Sequence, residues 1–205
     1  MRELPDERHR AMGSDVLNHP GSGTLRDPDA ELMVLAGQGD RAAWQTLYVR
    51  HRERVFRIAL RFLGEEAGAR DVTQEVFVSL FARARCYRPT ASFPSYLRRV
   101  TVNRCINARA SAHKTHRLEA SDAILSETAD RAPNPEARLE RHETAAAVRS
   151  AIAALPERQR MAIILSRWEG LSYEEIAAAL DCSISSVESL LFRARQALWH
   201  ALFGA

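Results

Sequence analysis

Between Asp40 and Gly64 the side chains Trp44, Leu47, Tyr48, His51, Val55, Ile58, Ala59 and Phe62 return at steps of three and four residues. That spacing puts them on one face of a helix, whereas a strand would need alternation at every second position. The same rule governs the rest of the chain. Val72, Val76 and Leu80 form one stripe with Phe77 and Phe81 beside it, Leu97, Val100 and Ile106 form another, and Leu139, Val148 and Ile152 a third. No stretch has the two-residue period of a strand, so the predicted fold class is all-α.

Helix start and stop signals divide this periodicity into two groups. Asp27 with Pro28 reads as a cap and first-turn pair opening a helix that ends near Gly37 to Gly39, and Asp40 caps the long helix that runs to Gly64. A third helix is expected from about Glu66 to Arg85. The segment Cys86 to Ala91 contains Pro89 and breaks the pattern, and Ser92 caps a fourth helix that tolerates Pro94 in its first turn and continues to about Ala110. These four helices make a first domain, residues 27–110.

Residues 111–143 are polar and carry Pro133 and Pro135, which predicts a flexible linker able to span up to ~110 Å if extended. Asn134 with Pro135 opens a further helix that stops before Pro156. Helices over about 157–168, 173–180 and 185–200 complete a second small helical domain, residues 144–205. Residues 1–26 hold Pro5, Gly13, Pro20, Gly21 and Gly23 without apolar periodicity, the pattern of a disordered tail.

Composition removes several function classes. A chain of 205 residues, 46% of them apolar, can bury one good core or two small ones, yet it contains no run of the roughly 18–20 apolar residues that a membrane span requires. Its start has no apolar stretch of the secretory kind, so a cytoplasmic protein without stable membrane insertion is expected. Cys86, Cys105 and Cys182 form no CxxC pair and read as small buried apolar side chains rather than a disulfide framework or a zinc site. His113 and His116 are close in sequence but have no cysteine or carboxylate cluster beside them, so neither a metal nor another cofactor is expected.

The net charge of +3 says little until it is resolved along the chain. Residues 1–40, 41–110, 111–143 and 144–205 carry −4, +9, −2 and 0. The basic charge therefore sits in one block of the first domain, as a nucleic-acid surface would require.

The segment LSYEEIAAALDCSISSVESLLFRARQAL has the shape of a helix-turn-helix. Ser172 and Glu175 have capping-box spacing, Ile176, Ala177 and Leu180 give the first helix an inner face, and Asp181 to Ser183 supply the turn. On the second helix Val187, Leu191, Ala194 and Leu198 form the inward stripe. Glu188, Ser189, Phe192, Arg193 and Gln196 then face outwards, a mixture suited to base edges, a thymine methyl and phosphates in a major groove.

Beyond this pattern, LPERQRMAIILSRWEGLSYEEIAAALDCSISSVESLLFRARQAL, from Leu155 to Leu198, resembles region 4 of sigma-70 family proteins, which reads the −35 promoter element. DVTQEVFVSLFARA resembles region 2.2 of the same family, and FPSYLRRVTVNRCINARA resembles regions 2.3 and 2.4. Without a region 1.1 or a region 3 domain, the likeness is to the extracytoplasmic-function (ECF) group. Three residues depart from the family pattern: Tyr96 stands where tryptophan is common, Asn107 where aspartate is, and Asp181 where the turn often has glycine.

The resemblance implies a sigma factor that binds core RNA polymerase and promoter DNA, has no catalysis of its own and answers to an anti-sigma factor that can be membrane-bound. It implies that Asp71, Gln74, Glu75 and Phe77 dock on the polymerase clamp helices. It assigns Tyr96, Arg98, Arg99, Asn103 and Arg104, with the Cys86 to Ala91 loop, to reading and melting the −10 element, with Arg109 on the same helix. Ser185, Ser186, Glu188, Ser189, Phe192, Arg193 and Gln196 are assigned to the −35 element. Trp44, Tyr48, Phe56, Phe62 and Trp168 are expected in the core, with Trp199 and Phe203 closing the second domain. Two other classes compete: a helix-turn-helix activator that binds DNA without replacing a sigma subunit, and an enzyme built on Asp71 and Glu75, for which the sequence names no convergent partner.

Overall fold

The computed structural model describes residues 27–116 and 135–204, with side chains described outside 112–143. Among the described residues there are eight α-helices, one short 3₁₀ turn and no strand. The helices are α1 (Pro28–Gly37), α2 (Arg41–Leu63), α3 (Glu66–Arg83), α4 (Phe93–His116), α5 (Pro135–Ala154), α6 (Glu157–Arg167), α7 (Tyr173–Leu180) and α8 (Ile184–Phe203), with the 3₁₀ turn at Ala84–Cys86. Among the described residues, no helix is long and apolar enough to cross a membrane.

The caps predicted at Asp27 and Asp40 form. Asp40 accepts from the amides of Ala42 and Ala43 at 2.8 and 3.1 Å, and Gly64 ends α2 in the left-handed conformation at φ 85°. Asp27 does more than its sequence position predicts. One carboxylate oxygen accepts from Asp29 N and Ala30 N to cap α1, while the other accepts from Phe93 N at the start of α4, so one side chain anchors two helix N-termini. Ser92 makes no side-chain cap there; its carbonyl takes the first helical hydrogen bond, from Tyr96 N.

The first core lies among α1 to α4, where Met33, Leu47, Phe62, Val76, Phe93 and Val102 are fully buried. Buried Asp29 accepts from His51 Nε2 at 2.8 Å and also pairs with Arg50, which explains how a histidine can share the inward stripe of α2. In the second unit Met161, Ile164, Leu165, Ile176, Val187 and Leu191 are buried.

Helices reach into both ends of the predicted linker, with α4 extending to His116 and α5 opening at Pro135. The rest of that segment, the side chains of His113 and His116, and the tail 1–26 lie outside the described residues. Within the described residues the two units are packed together: α4 lies against α7 and α6, and α2 against α6, so one apolar core runs from Ala30 to Ala194.

The aromatic expectations divide. Phe62 is core, but Tyr48 and Trp168 are 38% and 43% exposed, and Trp199 and Phe203 meet in a tilted pair with centroids 4.8 Å apart while remaining exposed. Only one of the cysteines fits the expectation fully. Cys105 is buried, and burial pushes its thiol up to about 12, whereas Cys182 is half-buried and Cys86 is exposed on the 3₁₀ turn, which presents little surface to a core.

Gly37 ends α1 directly against the 3₁₀ turn, where an added Cβ would meet the Ala84 carbonyl oxygen at 2.4 Å. Backbone, unlike a flexible side-chain end, cannot swing away. Gly37→Ala is expected to destabilise the fold by about 1–3 kcal/mol through overpacking. Urea denaturation followed by circular dichroism measures this, and an unchanged midpoint would show that α1 is not seated on that turn.

Candidate nucleic-acid interface

The helix-turn-helix is built from its own hydrogen bonds. Ser172 Oγ accepts from Glu175 N at 3.2 Å and Glu175 Oε2 accepts from Ser172 N at 3.1 Å, completing the predicted capping box. Asp181 ends α7 at φ 51°, the sole non-glycine residue with positive φ among the described residues. An aspartate tolerates that conformation at modest strain, so the turn forms without the family's glycine. Ser183 then caps α8 by accepting from Ser186 N at 3.2 Å, and Arg158 ties α6 to the end of α7 by donating to Leu180 O at 2.9 Å.

Val187, Leu191 and Ala194 point inwards, as the periodicity predicts, with Leu198 half-buried. Ser185, Ser186, Glu188, Ser189, Phe192, Arg193 and Gln196 are all exposed. Together they offer hydroxyls, an amide, a guanidinium and a ring that is 61% exposed over a helix of 20 residues, the dimensions and chemistry of a major-groove reader.

On the first unit, Arg99 and Asn103 are exposed on α4, and Tyr96 is half-buried, its ring 5.3 Å from that of Tyr87. Tyr87 in turn packs edge-on to Phe93 at 6.2 Å and anchors the start of the Cys86 to Ala91 loop, whose Arg88, Pro89, Thr90 and Ala91 are exposed. The Tyr87 hydroxyl is buried without a hydrogen-bond partner, and burial, with the nearby Asp27 carboxylate, raises its pKa. Arg104 is half-buried and lies 3.7 Å from Glu75, so a residue assigned to −10 reading touches one assigned to polymerase docking.

Arg98 departs from its expected outward position. It is buried beneath α7, donating to Glu175 Oε1 at 2.9 Å and to Ser95 Oγ at 3.0 Å, and its Nε has no partner. Burial lowers its pKa, with Glu175 acting in the opposite direction. One turn of helix separates Arg98 from Thr101 and Val102, both fully buried, so Arg98 belongs to the inner side of α4 rather than to its solvent face.

The residues expected to dock on polymerase also divide. Asp71, Gln74 and Glu75 are exposed on α3, but Phe77 is buried under the edges of Tyr48 at 4.9 Å and Trp44 at 6.1 Å. The apolar surface beside the carboxylates is therefore an open groove between α2 and α3, lined by Trp44, Tyr48, Phe56, Val78 and Phe81. Tyr48 and Trp44 share a stripe with core residues, and only the position of α3 decides that their rings face the groove. Exposed Arg83 and Arg85, with Arg88 in the loop, add basic surface that the assigned residues omit. The run ARARCYRP ahead of the proline break was the sequence signal for them. Among the described residues, no group of histidine, cysteine, aspartate or glutamate side chains is arranged to hold a metal.

Comparison with known proteins agrees with the two-part arrangement. The family model for sigma-70 region 2 matches residues 47–115, and that for sigma-70 region 4 matches residues 145–198. The chain is 32% identical to the RNA polymerase sigma-H factor of Pseudomonas aeruginosa over 184 residues, covering 86% of this chain and 95% of that protein. It is 33% identical to the ECF RNA polymerase sigma-E factor of Escherichia coli K12 over 176 residues, covering 83% and 92%. Among solved structures it is similar to CnrH in complex with the cytosolic domain of CnrY, at a TM-score of 0.62 and 26% identity over 87% of this chain and 99% of that one. Two family models in the right order, on a helical bundle and a helix-turn-helix, and relatives matched along nearly their whole length, mean that the chain belongs to the sigma-70 family as an ECF RNA polymerase sigma factor.

Proposed function

We propose that this sigma factor divides promoter recognition between its two helical units. Residues 27–110 dock on core RNA polymerase and read and open the −10 element, residues 144–205 read the −35 element, and residues 111–143 connect them behind a tail of residues 1–26. The observation that carries this reading is the face of α8, on which seven polar, charged or aromatic residues are exposed while Val187, Leu191 and Ala194 are buried. That mixture suits base edges, a thymine methyl and phosphates in a major groove.

In this scheme Asp71 and Glu75 meet basic side chains of the polymerase, with Gln74 and the groove between α2 and α3 supplying the surrounding contacts. Arg99, Asn103 and Arg104, with the aromatic pair Tyr96 and Tyr87, grip the unpaired −10 strand, and the Cys86 to Ala91 loop holds an extruded base. The energy of these contacts offsets unstacking, so opening requires neither nucleotide hydrolysis nor catalysis by this chain. From family membership, and from the complex of CnrH with the cytosolic domain of CnrY, we infer an anti-sigma factor as the further partner. A membrane-bound regulator would hold the chain at the cytoplasmic face without inserting it.

Run-off transcription with purified core polymerase tests the whole reading. The chain should direct initiation from a cognate promoter only when core is present, whereas specific operator binding by the chain alone would favour an independent activator. Replacing both Asp71 and Glu75 by arginine should abolish co-elution with core polymerase in size-exclusion chromatography and shift stability by no more than about 1 kcal/mol, because both residues are exposed and the Glu75–Arg104 contact is a surface pair. Retained co-elution would remove these carboxylates from the docking surface.

Asn103→Ala should reduce permanganate reactivity of −10 thymines in holoenzyme complexes while leaving −35 protection intact. Normal opening by that variant would take α4 out of the reading surface. Arg193→Ala should weaken −35 binding by about 1–3 kcal/mol and relax preference at one base pair if the guanidinium reads a guanine edge. A phosphate contact would instead weaken all sequences alike and reduce the salt slope by about one. Selection from randomised −35 elements distinguishes the two, and unchanged affinity with unchanged preference would mean that α8 meets DNA through another face.

A further inference from the structure

Tyr87 is 8% exposed, and its hydroxyl is buried without a hydrogen-bond partner among the described residues. A buried hydroxyl left unpaired costs stability that a phenylalanine in the same place would not lose. Asp27 is near enough to raise its pKa, after burial itself, but the Asp27 carboxylate is turned to other donors. One of its oxygens accepts from Asp29 N and Ala30 N and the other from Phe93 N. The Tyr87 hydroxyl therefore stays protonated, a donor with no acceptor inside the fold.

That donor stands at the root of the Cys86 to Ala91 loop. Its ring lies 5.3 Å from that of Tyr96 and 6.2 Å from that of Phe93, both in the first turn of α4, so the two ends of the loop meet on one aromatic cluster. Arg85 and Arg88 flank Tyr87 in sequence and are exposed, which sets charges for backbone phosphates beside a stacking surface. Among the described residues, Arg88 to Ala91 make hydrogen bonds only within the loop, from Thr90 N to Arg88 O at 2.8 Å, and to Tyr87 O, from Arg88 at 3.1 Å. The loop can lift without breaking a hydrogen bond to any helix.

We propose that the Tyr87 hydroxyl is a specificity-determining donor for the extruded −10 base, and that the base it selects is a pyrimidine, met at a ring carbonyl oxygen. The proposal rests on the reading of this loop as the holder of that base. An extruded base is recognised by stacking on aromatic side chains and by hydrogen bonds to its polar edge, and the cluster supplies the first while the hydroxyl supplies the second. Size decides the class. The hydroxyl is wholly covered, so a base reaches it only as far as a short loop can lift, and one ring needs less room than two. Both cytosine and thymine offer a ring carbonyl oxygen to a donor, whereas adenine offers none.

Tyr87→Phe tests the proposal in holoenzyme, because it keeps the ring and removes the hydroxyl alone. In selections from randomised −10 elements the wild type should prefer a pyrimidine at one position. The variant should lose about threefold to tenfold of that preference, the worth of one neutral hydrogen bond, and keep its preferences elsewhere. Its urea midpoint should equal or exceed that of the wild type, since no bond within the chain is lost.

A lowered midpoint would show that the hydroxyl has a partner in the folded chain and would overturn the proposal. Preferences unchanged at every position would overturn it as well, and loss of a preference for a purine would remove the pyrimidine assignment. The Asn103→Ala experiment separates the two premises. If that variant opens the −10 element poorly while Tyr87→Phe changes nothing, only the role of the hydroxyl falls; if it opens normally, the −10 surface itself is misplaced.

Discussion

A guanidinium that keeps its charge near neutral pH cannot be buried without acceptors, and Arg160 is 1% exposed. Burial, reinforced by nearby Arg109, lowers its pKa to about 10, which still leaves it protonated under ordinary conditions. Its partners are backbone carbonyls: Ile152 at 3.0 Å and Leu155 at 3.4 Å at the end of α5, and Phe62 at 3.0 Å at the end of α2, with the Phe62 ring beneath the guanidinium at 5.7 Å. The last carbonyls of a helix lack intrahelical donors and carry partial negative charge. One cation therefore finishes two helices, and because those helices belong to different units, it holds the units in one register.

That register determines how the basic block is presented. Of the arginines on α2 to α4, Arg50, Arg54, Arg57, Arg61, Arg70, Arg98 and Arg104 all pair with carboxylates. Arg83, Arg85, Arg88 and Arg99 are exposed and enter no ion pair among the described residues. They cluster around the Cys86 to Ala91 loop and the start of α4, beside Tyr87 and Tyr96. Exposed Arg41 and Arg52 on α2 are likewise without an ion pair among the described residues, so of the +9 carried by seventy residues four unpaired charges gather in this basic and aromatic corner.

The candidate sites were legible to different depths. All seven α8 residues are exposed as the inward stripe requires, because a helix packed on one side has only one other side to offer. Asp71, Gln74 and Glu75 followed from the same logic on α3. Phe77 and Arg98 did not, since an aromatic beside a stripe can roll under its neighbours and an arginine can be buried wherever a carboxylate comes to meet it. Tyr48, Trp44 and Phe81 were missed for the converse reason: their spacing is that of core residues, and the groove they line exists only once α2 and α3 lie side by side.

What the amino-acid sequence determined by itself was local: the ends of each helix through Asp27, Asp40, Ser172 and Ser183, the left-handed turn at Asp181, the inward stripes, and the motifs that carry family membership. These rest on hydrogen bonds and periodicities spanning a few residues, which any helix with that spacing must satisfy. Only the tertiary structure decided that Asp27 reaches Phe93 and that Arg98 and Arg160 reach partners 77 and 98 positions away. Periodicity states which way a side chain faces but not what will be there, and for long charged side chains the partner, not the direction, decides between solvent, DNA and the protein's own carboxylates.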